Sequence, residues 1–376
     1  MKNYLRLSVL AVAIVTAITG APIAFAGGAA VNIPTVNIKV FVNSGLINPR
    51  GLHFGPDNNL YVAEGGTGGA NSTTEQQCKQ VAGVGPYKGS PTGGRISRID
   101  AAGNRTTVTD TFPSSQTNDQ TGSLISGVAD VAFIGDTMYA LLAGAGCSHG
   151  VPERHNGIAR VNSDGTWQII ADLSAFQQTH PVANPFSGDF EPDGTWYGMV
   201  AVRGSLYAVE PNHGEVVKVT TDGHIKRVID ISASQGHIVP TAIAHHGTFY
   251  VSNLGTFDAD QLNLQSVFQV TPSGHLRKVA AGLSKVVGLA FDRGDRMYVL
   301  ETSYSTTDSN PSPYTGRLLR ILPNGQQQVL IDSSSNMLFF PTAMTFGPDG
   351  ALYISNIGFG PPPIGLGQIL RVEIPD

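Results

Sequence analysis

The segment GLHFGPDNNLYVAE at residues 51–64 is the first copy of a short unit that recurs along the chain and decides its fold. It joins an apolar strand, a turn rich in Gly, Asp and Asn, and a second strand with aromatic and β-branched residues, which is the composition of a β-hairpin. Five further copies follow, namely DVAFIGDTMYALL (130–142), GMVAVRGSLYAVE (198–210), AIAHHGTFYVSN (242–253), GLAFDRGDRMYVLE (288–301) and AMTFGPDGALYISN (343–356). Self-similarity of this kind indicates a repeat architecture.

More strands follow each hairpin. A third strand with alternating apolar residues comes next, as in GRISRID (94–100) and RLLRIL (317–322), and in five units a tight turn and a fourth strand follow it. The repeat tyrosines Tyr207 and Tyr250 are 43 residues apart, close to the roughly 40–45 residues of a four-stranded propeller blade. Six units arranged radially bury every face against a neighbour. The sequence therefore predicts an all-β fold, a six-bladed β-propeller with four-stranded blades.

The two ends of the chain complement each other. The sixth unit stops after its third strand, whereas NIKVFVNSGL (37–46) is a strand before the first unit and matches the fourth-strand segment 275–283 in pattern. An unpaired edge strand is a liability that proteins avoid. We therefore expect the N-terminal strand to complete the last blade and residues 27–376 to form a single propeller domain.

Composition and the N-terminal sequence limit the binding partners and the cellular location of the protein. The chain has 376 residues, 14% of them charged, and a net charge of −5, which provides no basic surface for nucleic acid. Residues 1–26 combine a basic start, an apolar run at 7–18 and the small residues Ala24 and Ala26, the pattern of a secretory signal peptide. The apolar run is shorter than the roughly 20 residues that span a bilayer. We expect a secreted or periplasmic protein with no membrane span after signal removal.

One repeat position carries candidate metal ligands. Three residues after each repeat tyrosine the side chain is polar in five units and Leu142 in the other; the five are Glu64, Glu210, Asn253, Glu301 and Asn356. Propeller geometry brings these strand ends to one mouth of the channel, and Ca²⁺ accepts carboxylate and amide oxygens. In a second interpretation the same side chains bind backbone N–H groups at the strand ends. Arg50, at the start of the first inner strand, is a third possibility, as the partner of one carboxylate.

The long loops lie between second and third strands and so share one face, where rigid scaffolds usually bind their ligands. Candidate ligand-binding residues are Arg50 and, in the second loop, His149, Glu153 and His155, whose spacing lacks the helix of a zinc motif. His53 is interpreted as a packing residue. Cys78 and Cys147 fall in the loops of neighbouring blades, which predicts a disulfide bond in an exported protein.

Common catalytic motifs are missing from the chain. It contains no G-x-S-x-G, H-E-x-x-H or P-loop sequence, and no strand-linked G-x-G-x-x-G. No sequence motif therefore supports a serine hydrolase, a zinc protease, or a protein that binds a nucleotide or a dinucleotide.

The strand ends YVAE, YVSN, YVLE and YISN and the turns PDG, SDG, TDG and PNG resemble those of NHL, gluconolactonase-like and streptogramin-lyase-like six-bladed propellers, over about residues 33–374. The secretory signal, the NPRGL opening at 48–52 and the Gly-rich first loop with Cys78 most resemble the ScyD/ScyE family, which is linked to the scytonemin sunscreen pathway. That resemblance implies a secreted bacterial protein of undefined activity. The wider group includes metal-dependent lactone-opening and lyase enzymes with a divalent ion at the channel mouth, where the five polar residues match in kind and location.

Two functions follow as hypotheses. The first is a secreted binding or accessory protein that engages a small molecule or an extracellular protein on its looped face, with a link to a scytonemin-type pathway. The alternative is a divalent-metal-dependent hydrolase, lactonase or lyase with its site at the channel mouth, in which the cation polarises a carbonyl. No catalytic residue can be assigned from the sequence.

Overall fold

The computed structural model describes residues 35–271, 274–358 and 365–375, and it consists of six antiparallel sheets arranged in a ring. The predicted signal peptide at 1–26 lies outside the described residues.

The strands fall into six blades in chain order, preceded by one N-terminal strand, β1 (Asn37–Leu46). Blade 1 contains β2 (Pro49–Phe54), β3 (Leu60–Glu64), β4 (Lys88–Ile99), β5 (Arg105–Gln116) and the short added strand β6 (Ile125–Ser126). Blade 2 contains β7 (Val128–Ile134), β8 (Thr137–Leu142), β9 (Gly157–Val161) and β10 (Trp167–Asp172). Blade 3 contains β11 (Gly198–Val202), β12 (Ser205–Glu210), β13 (Glu215–Thr220) and β14 (Ile225–Asp230).

The second half of the chain repeats this arrangement. Blade 4 contains β15 (Pro240–His246), β16 (Thr248–Asn253), β17 (Gln265–Val270) and β18 (Leu276–Leu283). Blade 5 contains β19 (Val286–Phe291), β20 (Met297–Glu301), β21 (Arg317–Ile321) and β22 (Gln327–Ile331). Blade 6 contains β23 (Ala343–Phe346), β24 (Leu352–Asn356) and β25 (Gly367–Glu373).

Helices are short and lie in the connections. They are α1 (Leu173–Thr179), α2 (Ile231–Gln235) and the 3-10 turns Asp119–Thr121, Cys147–His149, Ala259–Gln261 and Ser333–Ser335. None of the helices in the described part of the chain is long and apolar enough to cross a bilayer.

The predicted six-bladed β-propeller is confirmed. In each blade the strands pair in the order in which they occur along the chain, and the inner strands β2, β7, β11, β15, β19 and β23 contact one another in succession. β23 in turn contacts β2, which closes the ring around a central channel.

Closure by the N-terminal strand is also confirmed. β1 pairs antiparallel with β25, from Asn37 opposite Glu373 to Leu46 opposite Gly367, and so becomes the outermost strand of blade 6. The first and the last strand of the described chain therefore lie in one sheet.

The core is divided among the interfaces between blades. Each of the six interfaces contains one apolar cluster built from both neighbours; for example, Leu141 of blade 2 packs with Leu206 and Val217 of blade 3. Because a blade buries its two faces against different neighbours, its strands alternate between two apolar sides, and this explains the apolar runs seen in the sequence.

Candidate functional site

Strand direction gives the propeller one loop-rich face. Inner strands start, and second strands end, on the same side, so the loops between second and third strands and the connections between blades lie together. We call this side the looped face.

The five polar side chains after the repeat tyrosines lie just under the looped face and bind their own blades. Glu64 accepts a hydrogen bond from the Ile47 N–H at 2.6 Å, and Glu210 accepts one from the Thr195 N–H at 2.9 Å. In each case the donor belongs to the segment that leads into the first strand of that blade.

The other three side chains bind the corresponding segments of their blades. Glu301 accepts from the Ser284 N–H at 2.7 Å and Asn356 accepts from the Phe339 N–H at 2.9 Å. Asn253 donates to the Ile238 carbonyl at 3.0 Å. In five blades the side chain at this shared position therefore hydrogen-bonds to the backbone of the segment that leads into the first strand. In blade 2 the corresponding residue, Leu142, is buried in an apolar cluster.

Two of the carboxylates also pair with arginines on the third strand. Glu64 accepts hydrogen bonds from Arg95 Nε at 2.9 Å and from Arg95 Nη2 at 2.5 Å. Glu301 accepts one from Arg317 Nε at 2.6 Å. Glu210 has no such arginine and accepts the His213 N–H instead. Burial raises the pKa of both Glu210 and Glu301.

These five side chains do not fit a shared calcium ion. Their oxygens are occupied by backbone N–H groups and by arginines, and none of the five lines the channel cavity. Within residues 35–271, 274–358 and 365–375, no three His, Cys, Asp or Glu side chains are grouped so that they could hold a metal. The geometry agrees with the interpretation in which they bind backbone groups.

Arg50 is not the partner of a carboxylate. Its guanidinium donates to the Ile125 carbonyl, and no described acidic side chain forms a salt bridge with it. The residue that neutralises Glu64 is Arg95, which lies opposite it in the register of β3 and β4. The sequence contained a sign of this pairing, because Arg317 follows Glu301 in the same register.

The candidate ligand-binding residues of the second loop do not lie together. His155 and Glu153 are exposed, and His155 Nδ1 lies 3.3 Å from Asp172 Oδ2. His149 is fully buried, with Nδ1 2.9 Å from Ser115 Oγ. These side chains therefore do not form one site.

His149 belongs instead to a buried polar group that sequence reasoning missed. Its Nε2 lies 3.5 Å from Glu191 Oε2, and Tyr87 donates its hydroxyl to Glu191 Oε1 at 2.6 Å. The Tyr87 ring packs edge-on against His149, with centroids 4.6 Å apart. Burial and the neighbouring Glu191 raise the pKa of Tyr87 well above its usual value. Glu191 precedes blade 3 in a segment with no repeat pattern, so nothing in the sequence indicated the contact.

The predicted disulfide is confirmed. Cys78 and Cys147 are bonded with Sγ atoms 2.10 Å apart, and they join the loops of blades 1 and 2. The bond holds the Tyr87 and His149 loops together on the looped face.

A cavity of about 700 Å³ occupies the looped-face end of the channel. Residues of all six inner strands line it, together with connecting segments that include 82–87, 186–191 and 254–258. Its wall is mostly apolar, with contributions from Leu52, Val128, Met199, Ile243, Leu289 and Met344.

A His–Asp pair lies in this cavity. His53 Nε2 is 3.5 Å from Asp130 Oδ1, and Asp130 also accepts the N–H groups of Val131 and Met199, each at 2.8 Å. Burial alone would lower the pKa of His53, but attraction to Asp130 outweighs it and the pKa is raised. His53, interpreted above as a packing residue, thus belongs to the cavity wall.

Arg50 and Tyr197 form a second polar part of the wall. Tyr197 donates its hydroxyl to the Thr342 carbonyl at 2.8 Å, and burial raises its pKa. Burial lowers the pKa of Arg50, while the nearby Tyr197 acts in the opposite direction.

Exposed aromatic side chains stand at the mouth of the cavity. Phe186 is 47% and Phe257 39% exposed. Phe186 stacks on His237 with ring centroids 4.5 Å apart, and His237 Nε2 lies 3.2 Å from Asp189 Oδ2. Exposed large apolar residues at the entrance of a cavity are typical of a binding surface.

Comparison with known proteins supports the fold. Neither the protein-family models nor the curated proteins include a match to this chain. Among solved structures, the chain is similar to a gluconolactonase from Xanthomonas campestris (TM-score 0.54, 12% identity, 93% of this chain and 94% of that chain). It is also similar to a glucose dehydrogenase (0.52, 13%, 90% and 100%) and to a streptogramin B lyase (0.46, 14%, 90% and 98%). At such identities the likenesses to the gluconolactonase and the glucose dehydrogenase show a shared propeller fold and nothing about activity.

Proposed function

We propose that this chain is an exported binding protein whose ligand is a small molecule held in the cavity of the looped face. The observation that carries the proposal is the cavity itself. Its volume of about 700 Å³ is within the range of roughly 300–1,000 Å³ for small-molecule sites, and its mostly apolar wall carries few polar groups.

The scaffold supports binding because the wall is preformed. Inner strands from all six blades contribute to it, and a rigid site avoids the entropy cost of ordering side chains when the ligand arrives. Phe186 and Phe257 line the cavity and are exposed, so they can contact an apolar ligand as it enters.

The alternative function, a divalent-metal-dependent hydrolase, lactonase or lyase, has weaker support. The five polar residues assigned to the metal are occupied within their own blades. The similar gluconolactonase structure shares only 12% identity with the chain and supports the fold alone. The His53–Asp130 and His237–Asp189 pairs in the cavity could move a proton, but a histidine–carboxylate pair alone does not establish a reaction.

Export and family are part of the same proposal. A disulfide between Cys78 and Cys147 is compatible with an extracellular or periplasmic location, because such bonds persist in oxidising compartments. We place the chain with ScyD/ScyE-like propellers, and so in the setting of a scytonemin-type pathway, on the NPRGL opening and the first loop with Cys78. Detection of the processed protein outside the cytoplasm, starting near Gly27, would test export.

Tryptophan fluorescence can test where a small molecule binds, because the two tryptophans are well separated. Trp196 lines the cavity, whereas Trp167 hydrogen-bonds to Thr111 on an outer strand of blade 1. We expect 4-nitrophenylacetamide, an uncharged nitroaromatic quencher, to quench Trp196 saturably in the Trp167→Phe variant. The Trp196→Phe variant, which keeps Trp167, should show only linear collisional quenching.

A second pair of variants gives the control. In the Trp167→Phe background, Thr256→Phe narrows the mouth of the cavity without adding an indole and should weaken saturable quenching, whereas Thr106→Phe on the exposed outer strand should not. Equal quenching of both tryptophans, or no saturation in any variant, would contradict a binding cavity.

A further inference from the structure

We propose that the ligand of this cavity is an apolar molecule with one anionic group, a carboxylate or a similar oxyanion, which is held by Arg50. The inference rests on the proposed function and adds the chemical class of the ligand. It comes from the balance of charges around the cavity.

Acidic side chains inside the cavity have partners. Asp130 lies against His53, and Asp189 lies 3.2 Å from His237. Glu191 accepts the Tyr87 hydroxyl and faces His149 at 3.5 Å. Asp258 is exposed on the cavity lining.

Arg50 differs from all of these groups. It lines the cavity, and among the described residues its hydrogen-bond partner is a neutral one, the Ile125 carbonyl. The guanidinium remains charged at any physiological pH. Placing a cation in a partly dry cavity without a counter-charge is unfavourable, and a ligand anion would remove that penalty.

The geometry of the guanidinium suits a carboxylate. Arginine has five N–H donors, and one hydrogen bond to the Ile125 carbonyl leaves several of them for a ligand. Planar arginine donors match carboxylate oxygens in pairs, and such charge-assisted bonds are about twice as strong as neutral ones. Apolar side chains such as Val128 and Met199 lie in the same cavity and would hold the rest of the molecule.

A matched pair of probes tests the inference. 4-Nitrophenylacetic acid, a carboxylate at pH 7.5, and its amide differ mainly in charge, and both can be followed through Trp196 in the Trp167→Phe background. We expect the acid to bind at least about tenfold more tightly than the amide, as a charge-assisted bond implies. Arg50→Gln should remove this preference and leave the affinity for the amide within about twofold. Arg160→Gln, which removes an exposed arginine on blade 2, should change neither affinity.

One further measurement keeps the result interpretable. If Arg50→Gln fails to fold because its bond to Ile125 is lost, the unmodified protein can be titrated in increasing salt, which should weaken binding of the acid and not of the amide. Equal affinities for acid and amide, with no salt effect, would overturn the role of Arg50 while leaving the binding function intact. Absence of saturable quenching by both probes would instead contradict the proposed function.

Discussion

At the scale of single residues, the polar side chain three positions after the repeat tyrosine holds the start of its blade in place through hydrogen bonds. A blade begins where the chain leaves an irregular segment, and the N–H groups there have no strand partner. Glu64, Glu301 and Asn356 each supply an oxygen to such an N–H group. A buried carboxylate needs several donors to stay in place, which is why Arg95 and Arg317 accompany the two glutamates.

Substitution of only one partner of the Glu301–Arg317 pair should therefore lower the free energy of unfolding substantially. Both side chains are buried, so Arg317→Gln leaves Glu301 without its counter-charge and should lower the free energy of unfolding by about 3–5 kcal/mol. Arg98→Gln, which breaks the half-exposed pair with Asp57, should lower it by less than about 1 kcal/mol. Urea unfolding measures both values, and similar losses for the two variants would contradict this stabilising role.

The raised pKa of His53 predicts a dependence of stability on pH. Because the folded state favours protonated His53 beside Asp130, the stabilisation is fully present below the unfolded pKa of about 6.5 and is lost as pH rises through the folded pKa. Its size should be small, since the His53 side chain is 35% exposed to solvent. Thermal melts at pH 6–8.5 should show a decline that His53→Gln flattens and His275→Gln, on the exposed surface, leaves unchanged. A decline that persists in His53→Gln would assign it to another group.

At the scale of elements, the looped face is held by contacts between segments far apart in sequence. The loop of blade 1 carries Tyr87, the loop of blade 2 carries His149, and the segment before blade 3 carries Glu191; the three side chains meet in one buried group. These segments form one side of the cavity wall, so the shape of the cavity depends on how well they are ordered.

Removal of the disulfide should loosen this arrangement. Cys78 and Cys147 are separated by 69 residues, and a cross-link across such a length restricts the unfolded chain substantially. Cys78→Ser with Cys147→Ser should lower the free energy of unfolding by about 2–4 kcal/mol. Addition of a reductant to the natural protein should have a similar effect in denaturant melts and leave the double variant unaffected. Two reactive thiols in the unreduced, exported protein would contradict the bond.

How much could be predicted from sequence differs between strands and connections. The hairpins and the closing strand follow from local patterns that repeat, and they were predicted correctly. The cavity and the partner of His149 depend on 180–197, a connection outside the repeat, so no local pattern placed Glu191 there. The five polar residues were found from their spacing, but spacing does not show the direction of a side chain. Arg95 therefore went unnoticed as the partner of Glu64.

At the scale of the whole molecule, stability and the cavity both come from ring closure. The six apolar clusters lie between blades, so no blade has a core of its own, and the cavity is bounded by inner strands from all six. Loss of one interface exposes the faces of two neighbouring blades. The ring should therefore unfold as one unit.

The same geometry makes a prediction about metal. Since Glu64, Glu210 and Glu301 are each stabilised by donors within their own blades, we expect the ring to be stable without a cation at the channel mouth. Protein purified without chelator should contain no stoichiometric calcium by elemental analysis, and EDTA or added calcium should shift the melting temperature by less than about 1 °C. A stoichiometric ion whose removal lowers the melting temperature would restore the calcium interpretation.

Ring closure depends on β1 as well as on the contact between β2 and β23, because β1 supplies the outermost strand of the last blade. Val42 and Leu46 are buried in the cluster between blades 6 and 1, and β1 satisfies the edge of β25 along its length. Deletion of residues 31–46 should remove this buried apolar surface and expose the edge of β25, so the cooperative melting transition should disappear. A matched deletion of residues 27–34, which leaves β1 intact, should melt at the temperature of the full domain. If the variant lacking 31–46 kept that melting temperature, blade 6 would be stable with three strands, and closure by the N-terminal strand would not be what holds the propeller together.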